Sequence, residues 1–95
     1  MNQEIEIIYA AIDEVNATSG PEDQIVKSIE TPLLGSAAGL DSLTFVNLIV
    51  AIEQEIEQRL KRTMILVTEE TMSGGEHPFL TVGSLAKHLN HRLKQ

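Results

Sequence analysis

The chain has no cysteine and no tryptophan, and only one tyrosine and two phenylalanines among its 95 residues. Without cysteine, neither a disulfide framework nor a thiolate metal site can be built. So few aromatics leave little on which nucleic-acid bases could stack. No apolar run approaches the ~18 residues that a membrane span needs. The opening, MNQEIEIIYAAIDEV, threads acids through its apolar pattern and lacks a basic leader, so it does not read as a signal peptide. A soluble, cytoplasmic protein is expected. A chain of this length makes one domain, residues 1–95, and buries only ~60–65% of the surface its unfolded form exposes.

Bases are also scarce, but in one part only. Residues 1–58 hold eleven acids against a single base, Lys27, whereas residues 59–95 hold three acids and six bases, for a formal net charge of −7. An acidic front half repels phosphate backbones, which argues against nucleic acid as a partner. It would steer basic protein surfaces toward the chain, although a negative surface also simply aids solubility.

What the sequence does have is helical periodicity. Ile5, Ile8, Ile12 and Val15, with Ile7 and Ala11 beside them, predict a helix over about 3–17 that Gly20 and Pro21 stop. The stretch from Pro21 to Gly39 carries two prolines and two glycines. Its apolar residues (Ile25, Val26, Ile29, Leu33, Leu34) predict a long loop folded back on the helices, with a short helical turn. A second helix is expected from Ser42 to about Arg62, and a short one within MILVTEETM, residues 64–72. The loop SGGEHPF follows, and residues 63–79 are expected to be the loosest part of the fold. Thr81 reads as the N-cap of a last helix that turns Val82, Leu85, Ala86, Leu89 and Leu93 inward. No strand alternation is found. The expected fold is all-α, an antiparallel four-helix bundle of three long helices and one short, with a long loop between helices one and two.

On a wheel at about 100° per residue with Ser42 at zero, Phe45, Leu48, Ile49, Ile52 and Ile56 fall between roughly 240° and 340° and predict the core face. Leu43, Val46 and Val50 lie outside that arc, between about 40° and 100°. This second apolar stripe either packs against the long loop or docks partner enzymes, with Glu53 and Glu57 at its rim.

Ser42 stands at the mouth of this helix between Asp41 and Leu43, and three roles compete for it. A catalytic serine needs a base and a group that orients the base. The three histidines, His77, His88 and His91, all lie in the last quarter of the chain and have no assigned carboxylate partner, so no catalytic residue is assigned and the chain does not read as an enzyme. Ser84-Leu85-Ala86-Lys87 matches S-x-x-K without its companion motifs. His88 and His91 at i, i+3 fit exposed helix polarity better than a metal site, so no metal ligand is assigned. Asn16-Ala17-Thr18 is a formal glycosylation sequon and reads as coincidence. Asp41 and Ser42 are both good helix caps, which is the plain structural role. The third role is attachment. A phosphate ester at Ser42 would sit on the open N–H groups and positive dipole end of a helix, with Asp41 placed to bring a Mg²⁺ ion.

Leu40-Asp41-Ser42-Leu43, then TFVNLIVAIEQEI, then LTVGSLAKHL, in that order on an acidic chain of this size, resemble an acyl carrier protein. The likeness covers nearly the whole chain. It implies 4′-phosphopantetheine attached to Ser42 by a carrier protein transferase (a holo-synthase), with Asp41 serving the transferase and a Mg²⁺ needed only during transfer. The thiol of the arm would carry acyl groups as thioesters in fatty acid, lipid or related biosynthesis. Leu43, Val46, Asn47, Val50, Glu53 and Gln54 would face acyl-loading and acyl-processing enzymes, and the chain would be a monomer. The family often has glutamate where Asn47 and Gln54 stand, so this face is less acidic. Residues 57–79 are also longer than in compact members and bring in Arg59, Lys61 and Arg62, which points to a specialised carrier. An aminoacyl or peptidyl carrier is the near alternative. A helical protein-interaction domain without a prosthetic group is the alternative from another class.

Overall fold

The computed structural model describes residues 2–20, 24–33, 40–66 and 79–94. Three helices occur among them: α1 (Asn2–Thr18), α2 (Ser42–Leu60) and α3 (Val82–Leu93), with α1 packed on both of the others. The domain is all-α with a long loop between its first two helices. Met64–Leu66 are not helical, and the rest of the stretch expected to form a short helix, residues 67–72, lies outside the described residues.

The core follows from the apolar stripes. Ile7, Ile8, Ala11, Ile12 and Val15 of α1 are buried against Phe45, Leu48, Ile49, Ala51, Ile52 and Ile56 of α2 and Val82, Leu85, Ala86 and Leu89 of α3. Ile7 and Ala11, expected to flank the α1 stripe, lie within it, and Ile5 is only partly buried. Glu4 is buried too. It sits in the first turn of α1, where unpaired backbone N–H groups favour a carboxylate.

Phe79 joins the helices from the side. Its fully buried ring meets Phe45 edge-on, with centroids 5.5 Å apart at 70°, and stands 6.3 Å from the His88 ring at 74°. Met64 and Leu66 are buried as well. The described ends of the stretch expected to be loose are therefore anchored in the core. Residues 67–78 lie outside the described residues.

Helix ends account for most of the remaining polar contacts. The Thr18 and Ser19 hydroxyls donate to Val15 O at 3.2 and 2.8 Å, and Gln24 Nε2 donates to Asn16 O at 2.9 Å. These contacts satisfy carbonyls that a helix C-terminus otherwise leaves to water. The loop then runs beside the entrance to α3. Leu33 N–H donates to Leu80 O at 2.8 Å and Val82 N–H to Thr31 O at 3.0 Å, forming an isolated antiparallel bridge between Pro32 and Thr81. The sequence carries no sign of this pairing, which is made by backbone alone. The short helical turn expected in the loop is a single turn, with Thr31 N–H on Ser28 O at 3.2 Å. Residues 34–39 lie outside the described residues, and Leu40 N–H returns to Leu33 O at 2.9 Å.

Candidate functional site

Two helix entrances can be compared. At α3 the first four N–H groups all have partners. Val82 donates to Thr31 O at 3.0 Å, Gly83 to Ile29 O at 2.8 Å, Ser84 to Thr81 Oγ1 at 3.1 Å and Leu85 to Thr81 O at 3.0 Å. Ser84 Oγ accepts from Thr81 N–H at 3.0 Å and completes a capping box. This entrance is closed to an anion.

The entrance to α2 is different. Asp41 is the N-cap, in extended conformation, and its Oδ1 accepts from Thr44 N–H at 2.7 Å. Ser42 is the first residue inside the helix, so the capping role falls to Asp41. The N–H groups of Ser42 and Leu43 have no partner among the described residues. Asp41 is exposed, and hydrogen bonds from the Thr44 backbone and side chain hold its carboxyl below the usual range for aspartate. An ionised carboxylate thus stands next to two N–H donors that have no partner among the described residues. The donors suit a phosphoryl group, and the carboxylate suits a cation brought to it.

The stripe beside this entrance stays outside the core. Leu43 is 71% exposed, Val46 53% and Val50 45%. Asn47 and Gln54 are exposed on the same side. Glu53 is not a free rim residue. It is half-buried and its Oε2 accepts from Leu66 N–H at 2.9 Å, which ties the chain after α2 back to the helix. The structure therefore leaves Asp41, Leu43, Val46, Asn47, Val50 and Gln54 exposed along α2, with Ser42 as its first residue, and gives Glu53 a structural contact.

Three residues that the sequence offered in other roles have structural tasks that it did not reveal. Asn16 holds the loop through its side-chain amide. Lys61 closes α2 in the left-handed conformation at φ 56, and its N–H donates to Glu57 O at 3.0 Å. A side chain there costs on the order of 1 kcal/mol, which is why glycine is usual at such helix ends. His88 looks like plain helix polarity, yet it is half-buried and its Nε2 is shielded with no hydrogen-bond partner among the described residues. The signal in the sequence was its place three residues after Leu85, at the edge of the buried stripe.

Among the described residues no group of three or more His, Asp or Glu side chains could hold a metal ion, and no helix is long and apolar enough to cross a membrane. Comparison with protein-family models, with curated proteins and with solved structures finds no match for this chain.

Proposed function

We propose that the protein is a carrier of acyl groups, held as thioesters on a 4′-phosphopantetheine arm attached to Ser42. The observation that carries this reading is the contrast between the two helix entrances. The fold closes α3 with a loop and a capping box, whereas at α2 the N–H groups of Ser42 and Leu43 have no partner among the described residues and stand beside an ionised Asp41 and an exposed apolar stripe.

In the attachment step, the serine oxygen bonds to the pantetheine-side phosphorus of coenzyme A. The pyrophosphate bond breaks, the adenosine bisphosphate leaves, and the serine proton passes to the transferase. The N–H groups of Ser42 and Leu43 would then face the new phosphodiester. Asp41 would bring the Mg²⁺ that screens it from this anion. Once attached, the arm supplies a thiol that exchanges acyl groups by thioester chemistry. Leu43, Val46 and Val50 offer partner enzymes an apolar contact next to the attachment point.

An interaction domain in which Ser42 is only a cap is disfavoured by the assignment of that task to Asp41. The test is incubation with coenzyme A, Mg²⁺ and a broad-specificity carrier protein transferase, followed by intact-mass measurement. One phosphopantetheine should be added to the wild type and none to Ser42→Ala, with helical circular dichroism unchanged. Modification of the variant, or of another residue in the wild type, would sink the assignment.

A further inference from the structure

The strip that opens at Leu43 does not end at Val50. Positions 43, 46, 50, 54, 57 and 61 follow at three- and four-residue spacing along one side of α2, a run of about 27 Å. At its far end the surface hollows into a polar groove of about 690 Å³ lined by Gln54, Glu57, Gln58, Lys61, Arg62 and Thr63. Charge here runs opposite to that of residues 1–58. Arg59 is held by Glu55 at 2.8 Å. Lys61 and Arg62 are exposed, Lys61 has no ion-pair partner among the described residues, and Arg62 Nη1 donates to Leu93 O at 3.3 Å. Lys61 also occupies the left-handed position that glycine would fill without strain. Backbone strain retained at a surface groove directs attention to the side chain.

We propose that this groove is a second contact point of the docking strip and takes carboxylates from an acidic stretch on the surface of a partner protein. The proposal rests on the carrier reading only in treating the strip as the side turned to partner enzymes. Charge complementarity selects the occupant. Lys61 and Arg62 attract an anion, but the excess of ten acids over bases in residues 1–58 repels an extended polyanion such as nucleic acid. A short acidic stretch next to apolar residues fits both the groove and Val50. Glu57 repels a carboxylate from its own side of the groove and so orients the stretch toward Thr63. A partner that is acidic throughout is rejected by the rest of the front half, which makes the contact selective.

The experiment is a titration of the full ¹⁵N-labelled chain at low salt with a glutamate hexapeptide and, separately, a thymidine hexanucleotide. The glutamate peptide should shift the amides of Lys61, Arg62 and Thr63, and the shifts should be lost at high salt and in Lys61→Gly and Arg62→Gln. Lys61→Gly should also raise the unfolding midpoint, so lost binding there is not lost folding. Shifts centred on Lys87 or Lys94, shifts that survive both variants, no shift at all, or larger shifts with the hexanucleotide would each overturn the proposal. Ser42→Ala should bind the peptide as the wild type does. Peptide binding without modification at Ser42 sinks the carrier reading alone, and modification without peptide binding sinks the groove alone.

Discussion

Asn16 holds Ile25 by both of its backbone polar groups. Its Oδ1 accepts from Ile25 N–H at 2.8 Å and its Nδ2 donates to Ile25 O at 3.0 Å, so one side chain at the end of α1 fixes the start of the long loop and seats the buried Ile25 side chain. Asn16→Ala removes both bonds at a partly buried site and should cost about 1–3 kcal/mol of unfolding free energy. Asn16→Asp keeps the acceptor but sets a carboxylate against the Ile25 carbonyl, so it should cost no less at neutral pH. Urea unfolding and amide exchange at Ile25 measure this. A loss below about 0.5 kcal/mol would mean that burial of Ile25 holds the loop without the amide.

Gly83 is the next point of close approach. A Cβ at this position would lie 3.0 Å from Ile29 O, the same carbonyl that accepts the Gly83 N–H at 2.8 Å. Gly83→Ala gains about 1 kcal/mol of helix propensity, but it must push the loop carbonyl away and weaken the bond that closes the entrance to α3. The second effect should win, with a net loss of about 1 kcal/mol. A more stable variant would show that the Ile29 turn yields freely.

The three long helices and their inward stripes were legible because burial recurs with the helical period, and the last helix with its Thr81 cap follows its local signals closely. The cap of α2 was ambiguous, since Asp41 and Ser42 both suit the position and only the Oδ1 contact with Thr44 N–H decides between them. The tasks of Asn16 and Glu53 were hidden for a different reason. Each side chain meets a backbone group nine or thirteen residues away, and that meeting depends on the path of the intervening chain. The exposed apolar stripe was legible from angle alone. Nothing in the angle tells whether a loop covers it, and the exposure of Leu43, Val46 and Val50 required the fold.

His88 should make stability depend on pH. Burial, and then the positive charges of Arg92 and His91, hold its pKa below the ordinary histidine value. In the window between the two values the unfolded chain binds more protons than the folded one, so stability rises with pH there. The contribution is full above the unfolded value of about 6.5 and falls as pH drops toward the folded one. His88→Phe keeps a ring beside Phe79 and removes the titration. Urea unfolding across this range should give a shallower acid-side loss for the variant than for the wild type. Equal slopes would place the titration elsewhere.

Asp41 combines two tasks that substitution can separate. As a cap it needs only an oxygen to accept the Thr44 N–H, which asparagine also supplies. In the proposed attachment step it needs a charge. Asp41→Asn should therefore lose only the small charge-dependent part of the midpoint near neutral pH but accept phosphopantetheine more slowly, whereas Asp41→Ala should lose more midpoint as well as rate. Acid refines the test. Because Thr44 lowers the folded pKa of Asp41, the stability gained from its charge is present above the unfolded carboxylate value and is lost as pH falls through the folded one. Asp41→Asn has no such charge, so the stability difference between it and the wild type should change only in that acidic window. A variant that loses midpoint at neutral pH but keeps its rate of modification would reverse the assignment, leaving Asp41 a structural cap and placing the cation on the transferase.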